Sequence, residues 1–311
     1  MDAWGNFWAK GHSTTFGEYF KNGYTEGYVA SWWANILKKK IAQHQDVLEV
    51  GCGNASLLPA MLDLRVKGSY TGLDAAPVNI SDAVKKRYNA NLSISLHGNT
   101  CVEDFNTEQT FDLIVSVYGL EYSDTSISLP LLKSLLNPNG KMHLLMHHSH
   151  SVITTMSEKA LGEFDFDLME TGVDYLCVIN DELDKEKGDL KALESSVAAN
   201  RARGSVNEFI SSVMNTEQSE RNPILVDFSQ ALLGYFKQIR SSAEQRAAYI
   251  CAIMEDFHAS KERYRQMVSV ARDEKQIDTF RSDLNGAGFM DVDILVLQKD
   301  GRPVAWYVSA A

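Results

Sequence analysis

The residues best equipped for chemistry in this 311-residue chain stand at the ends of apolar runs. MHHSHS places His147, His148 and His150 directly after one of them. A neutral imidazole accepts a proton near neutral pH, so these histidines suit a base or a substrate-orienting role. The same three could ligate one ion if the chain curls, or one could pack in the core with the others solvated. GLEYSD sets Glu121 and Tyr122 behind a run that ends in Ser116, Val117 and Tyr118. A carboxylate there could bind a cationic amine or cap a helix. VLEVGCGNAS adds Gly51 and Gly53, whose backbone can approach a ligand closely. Glu49 before this turn would repel a pyrophosphate, and Ser56 stands where a dinucleotide fingerprint has its third glycine. Asp74 ends the next apolar run and can accept from ribose hydroxyls. Asn99 ends the third, where an amide can read an adenine edge. These residues describe a nucleoside site without a phosphate cradle.

Strands must deliver those residues to one edge. DVLEV (46–50), SYTGLD (69–74), ISLHGN (94–99), FDLIVSVY (111–118) and KMHLLMHH (141–148) read as strands. Between them lie helical patterns at 56–64, 76–89 and from 128 to 136, and the turn NPNG (137–140) launches the fifth strand. This alternation predicts right-handed crossovers and a parallel sheet covered on both faces. From 149 to 272 the pattern turns helical, with NDELDKEKGD (180–189) read as an exposed loop. EKQIDTFRSDLNGAGF then forms a helix closed by glycine, and two strands meet at the Asp-Gly of KDGRP in a β-hairpin. The expected fold is α/β, a doubly wound, mainly parallel seven-stranded sheet with a C-terminal antiparallel hairpin and a helical insert. The expected divisions are an aromatic-rich N-terminal lid (1–45), a core (46–148), a helical cap (149–272) and a closing helix with hairpin (273–311).

Composition narrows the partners. A net charge of −11 argues against a broad nucleic-acid surface. The four cysteines form no CxxC pair and read as free thiols, with neither a zinc site nor a disulfide framework. No window approaches a bilayer-spanning run and no signal peptide is evident, so a cytoplasmic protein without membrane contact is expected.

In order and wording the chain resembles a class I S-adenosylmethionine-dependent methyltransferase of the small-molecule type. The resemblance rests on VLEVGCGNAS, GLDAAPVNI, HGNTCVEDF, FDLIVSVYGLEYSD and LLNPNGKMHLLM, covering 46–148, and on the closing hairpin. It implies S-adenosylmethionine as cofactor. Gly51 and Gly53 would pack on its methionine moiety and ribose, with Glu49 near its amino group. Asp74 would hold the ribose hydroxyls and Ala75 would pack beside the adenine. Asn99 and Thr100 would meet the adenine amine, although the family often has aspartate where Asn99 stands. Ser116 to Tyr118 would border the transferred methyl, and Tyr19, Tyr24 or Tyr28 would cap the site. His147, His148, Glu121 and Tyr118 are the candidate catalytic groups, and no metal is required. The implied acceptor is nitrogen or oxygen of a small molecule, handled by a monomer or homodimer. A protein or RNA methyltransferase, or a non-catalytic cofactor-binding protein, are the alternatives.

Overall fold

The computed structural model describes residues 3–12, 14, 24, 26–38 and 44–311. Helices α1 (Ala3–Ala9) and α2 (Gly27–Lys38) lead into β1 (His44–Val50), α3 (Leu58–Asp63), β2 (Lys67–Leu73), α4 (Asp82–Lys85) and β3 (Leu92–His97). Then come β4 (Phe111–Val117), α5 (Thr125–Leu135) and β5 (Leu136–Met146). Helices α6 (Val152–Leu161), α7 (Phe166–Lys185), α8 (Leu190–Ser195), α9 (Val197–Met214), α10 (Pro223–Lys237) and α11 (Ala243–Val270) follow. The chain closes with α12 (Glu274–Gly286), β6 (Asp293–Lys299) and β7 (Arg302–Ala310). Two compact units result, one of residues 1–155 with 266–311 and one of residues 156–265.

In the first unit the strands form one sheet in the order β3-β2-β1-β4-β5-β7-β6. Strands β1 to β5 pair in parallel, and β7 runs antiparallel between β5 and β6. The order reverses between β1 and β4, which opens a crevice at their carboxyl ends. Alternate residues supply two cores. Val47, Tyr70, Leu113, Val115 and Leu145 pack with Trp33, Leu37, Leu58 and Met61 on one face. Leu48, Ile114, Leu144 and Met146 pack with Leu129, Leu132, Phe280 and Leu284 on the other. Burial on both faces is why the central strands read as nearly continuous apolar runs. Trp32 and Trp33 belong to the first of these cores, where the Trp33 indole donates to the Leu57 carbonyl at 3.1 Å.

Both glycine signals at the C-terminus hold. Gly288, at φ +91, ends α12 while the Phe289 N–H reaches the Leu284 carbonyl at 3.0 Å. Asp300 and Gly301 take positive φ between the paired Lys299 and Arg302, the geometry a two-residue hairpin requires.

Three sequence expectations differ from the structure. The helix expected at 76–89 is only the short α4, because Ala76 and Asp74 hold the loop that passes the sheet edge: Asn99 N–H donates to the Ala76 carbonyl and Thr100 N–H to that of Asp74. NPNG lies within β5, where the register against β4 jumps from Phe111↔Leu136 to Leu113↔Lys141 and the turn residues are absorbed as an irregularity. Residues 180–185 continue α7 instead of forming a loop. The charges of that segment face solvent, while Ile179, Asn180 and Leu183 are buried. Asn180 accepts from Arg246 Nε at 2.9 Å, and Arg246 also pairs with Asp184, so the polar run carries one satisfied buried edge within the helical unit. No described helix is long and apolar enough to cross a membrane.

Candidate functional site

A cleft opens where the strand order reverses, lined at the ends of β1, β2 and β4 and by the segment after β3. Gly51 lines its floor. Gly51 sits at φ +68, and a Cβ there would lie 2.7 Å from the Cα of Gly119. The turn after β1 and the turn after β4 therefore meet backbone to backbone, which only glycine permits. Gly53, at φ +50, is covered by the Trp8 ring, 2.7 Å from where a Cβ would stand.

Asp74 fixes this floor. Its carboxylate accepts from the Gly53 N–H at 2.7 Å with one oxygen and from the Ala76 N–H at 2.8 Å with the other. Each oxygen retains acceptor capacity, and the residue lines the cleft beside Ala75 and Thr100. Glu49 is buried and accepts from the Tyr70 hydroxyl at 2.5 Å. Burial pushes its pKa up to about 8, with the nearby Asp74 charge adding to the shift. The carboxyl is then mostly protonated at neutral pH.

Aromatic rings form the roof. Trp4 and Trp8, four residues apart on α1, line the cleft with Tyr24, Tyr118 and Tyr122. Trp4 meets Tyr122 edge-on at 5.7 Å. Sequence reading passed over Trp4 and Trp8 in favour of tyrosines, although their i, i+4 spacing in WGNFW puts both on one helical face. Tyr19 lies outside the described residues. With the rings in place the cleft encloses about 190 Å³, below the roughly 300–1,000 Å³ of typical small-molecule sites.

The candidate acid–base groups fall into two layers. Tyr118, at φ +55, lines the cleft, but its hydroxyl lies 2.6 Å from that of Tyr28 and donates to the Val304 carbonyl at 3.1 Å. Burial holds its pKa well above the ordinary phenol value, so it stays protonated. Glu121, His147 and His148 are buried and do not line the cleft. His147 stacks on Tyr118 with ring centroids 4.5 Å apart, and its Nε2 lies 3.2 Å from the Tyr122 hydroxyl. Burial pushes its pKa down to about 3, which keeps it neutral. Glu121 accepts the His147 backbone N–H at 2.9 Å, and burial raises its pKa to about 7. His148 stacks on Trp306 at 4.5 Å and its Nδ1 accepts the His150 N–H. No group of three or more His, Cys, Asp or Glu among the described residues could hold a metal ion.

Three expected cofactor contacts stand back from the cleft: Gly53, Ser116 and Asn99. Ser116 is buried and donates to the Val50 carbonyl at 2.7 Å while accepting the Leu120 N–H at 2.9 Å, which clamps the β1 and β4 ends together. Asn99 is exposed at φ +55, in a left-handed turn that asparagine adopts readily, and does not line the cleft. Cys52, Ser56, Cys101, Glu103 and Ser123 line it without having been singled out as contacts.

Residues 47–140 match the family model described as a methyltransferase domain. Over 97 residues the chain is 30% identical to a ubiquinone biosynthesis O-methyltransferase of Bartonella tribocorum; the match covers 31% of this chain and 38% of that relative. Among solved structures, the CMeT domain of the citrinin polyketide synthase is similar at 12% identity over 91% of this chain and 51% of that one, with a TM-score of 0.40. The N-methyltransferase NodS from Bradyrhizobium japonicum, in complex with S-adenosyl-L-homocysteine, is similar at 18% identity over 48% of this chain and 75% of that one, with a TM-score of 0.36.

Proposed function

We propose that this chain, whose residues 47–140 form an S-adenosylmethionine-dependent methyltransferase domain, transfers a methyl group to nitrogen or oxygen of a small-molecule acceptor in the cleft that Gly51, Asp74 and Tyr122 line. The observation that carries this reading is the pairing of a buried, mostly protonated Glu49 with Asp74 in one cleft under an aromatic roof. That donor set suits a ligand with an ammonium group, a ribose and a sulfonium. Acceptor capacity left on Asp74 would take ribose hydroxyls, and Glu49 would face the ammonium. Trp4, Trp8 and Tyr122 would favour a sulfonium by cation–π attraction. The cofactor, when bound, supplies an electrophilic methyl group, so the chain has to position the acceptor, exclude water and accept a proton where the acceptor carries one.

Tyr122 is the residue proposed to orient the acceptor. Neutral His147 can accept the Tyr122 hydroxyl proton in a hydrogen bond through Nε2, leaving the phenol oxygen as an acceptor at the cleft wall. His147 then acts through Tyr122. Tyr122→Phe is expected to lower kcat about 10-fold or more while S-adenosylhomocysteine affinity, read by calorimetry, stays within about twofold. An unchanged kcat removes Tyr122 from the chemistry.

Glu49 gives a proton signature. An ammonium seated beside it lowers its pKa from about 8, so cofactor binding at pH 7 releases close to one proton. Calorimetric enthalpies in phosphate and Tris should differ accordingly, and Glu49→Gln should abolish the difference. The unliganded protein carries the opposite mark. A carboxyl raised from 4.5 to about 8 contributes stability that is fully present at low pH and is lost as pH climbs from 4.5 to about 8. Glu49→Gln should flatten that decline.

The activity itself is tested by incubating the protein with methyl-labelled S-adenosylmethionine and a cell extract, then sorting the labelled product by size. Label in small molecules is expected. Label confined to protein or RNA, or no transfer at all, overturns the small-molecule reading.

A further inference from the structure

Within the helical unit, α7 and α11 run antiparallel, and their contacts fix a register. Arg246 Nε on α11 donates to Asn180 Oδ1 on α7 at 2.9 Å, and Arg246 also pairs with Asp184. Further along α11, His258 stacks on Phe166 at the start of α7 with ring centroids 4.1 Å apart, and Lys261 lies 5.1 Å over the same ring. Advancing along α11 therefore means retreating along α7. Cys251 follows Arg246 by five residues and Cys177 precedes Asn180 by three, so the register sets the two cysteines opposite each other. Their faces agree. Cys251 stands two helical turns before His258, and Cys177 two turns before Asp184, so each lies on the stripe turned toward the other helix. We propose that Cys177 and Cys251 form a modification site, a dithiol that small aliphatic disulfides oxidise to a reversible bond between the two helices; this goes beyond the methyltransferase reading and is independent of it.

Exposure sets the order of events. Both residues are free thiols, Cys251 exposed and Cys177 half-buried. Burial raises the pKa of Cys177, and the charges of Asp174, Asp181 and Cys251 add to the shift, so the two sulfurs share one electrostatic neighbourhood. Cys251 therefore meets the reagent first. Its thiolate attacks one sulfur of the small disulfide, forms a mixed disulfide and expels one thiolate. Cys177 then attacks the Cys251 sulfur and expels the second thiolate. The two protein thiols are oxidised to one S–S bond, the reagent is reduced to two thiols, and the two protons pass to the expelled thiolates. Cys52 and Cys101 belong to the other compact unit. Neither Cys177 nor Cys251 lines the cofactor cleft, so the site stands apart from it. Packing accounts for Cys177, which lies against the core of Leu176, Ile179, Ile250 and Ile253. It leaves an exposed thiol on the facing stripe of α11 without a role, and the dithiol supplies one.

Oxidation of the full chain tests this. The reduced protein is treated with glutathione disulfide, quenched with N-ethylmaleimide and digested with trypsin. The expected product joins the peptides 160–185 and 247–261, lighter than their sum by two hydrogens, and dithiothreitol separates them again. In C177S, with its circular dichroism unchanged, the reaction is expected to halt at the mixed disulfide. Cys251 should then retain about tenfold more glutathione than in the wild type, because no second thiol resolves it. C251S is expected to leave Cys177 as a thiol. Absence of the joined peptides in the wild type overturns the proposal, whether Cys251 carries glutathione or stays reduced, since the helices then hold the two sulfurs beyond bonding range. Equal glutathione on Cys251 in wild type and C177S overturns it too. So does Cys251 joined to Cys101 or to a second chain, since Cys177 would then not be its partner.

Discussion

Asp74→Ala is expected to weaken S-adenosylhomocysteine binding about 100-fold in calorimetric titration. The carboxylate organises the floor of the cleft through the Gly53 and Ala76 N–H groups, at 2.7 and 2.8 Å. Hydrogen bonds to a charged group contribute about 1.5–3 kcal/mol each. Losing the charged acceptor for ribose hydroxyls, together with a floor no longer held in place, accounts for the expected fall. Asp74→Asn should be intermediate, because its amide oxygen can keep one backbone donor while its NH2 opposes the other. Affinity unchanged in Asp74→Ala would place the cofactor elsewhere.

The second large effect belongs to Gly51 and falls on stability. Alanine at this position would hold its Cβ 2.7 Å from the Gly119 Cα, at φ +68. A left-handed conformation costs an ordinary residue about 1–2 kcal/mol, and here the colliding atom is backbone anchored between β1 and β4. A total near 3 kcal/mol is expected, which lowers the thermal midpoint by roughly 6–12 °C in a unit of this size. Gly53→Ala provides the contrast. Its Cβ would strike the Trp8 ring, a side chain on the short helix α1 that can move away. Gly53→Ala should therefore cost little beyond the backbone term, yet disturb the roof and weaken cofactor binding. Differential scanning calorimetry of the two variants separates these effects; equal midpoints would show that the contact between the two turns is not rigid.

Much of the core is legible in the sequence because period and punctuation determine it. FDLIVSV can only be a strand buried on both faces, and the Asp-Gly of KDGRP can turn only a hairpin. Expectation failed where a local signal met a longer-range partner. NPNG has the composition of a turn, yet β4 on one side carries it into β5. The charges of 180–185 conceal a buried edge that Arg246, over sixty residues away, satisfies.

For the site, residue type, position and the family resemblance marked Glu49, Gly51, Gly53, Asp74, Ala75, Thr100 and Tyr118 as neighbours, and all of them but Gly53 line one cleft. A parallel sheet carries whatever follows a strand to its carboxyl edge, so topology alone gathers them. Which of them lines the cleft is decided by packing. Ser116 turns inward to clamp two strand ends, His147 lies neutral behind Tyr122, and Trp8 covers the glycine turn from a helix over forty residues upstream. Burial and side-chain direction depend on every neighbour at once. A sequence fixes which groups reach an edge of the sheet, while the folded chain alone determines which of them remain in contact with the cleft.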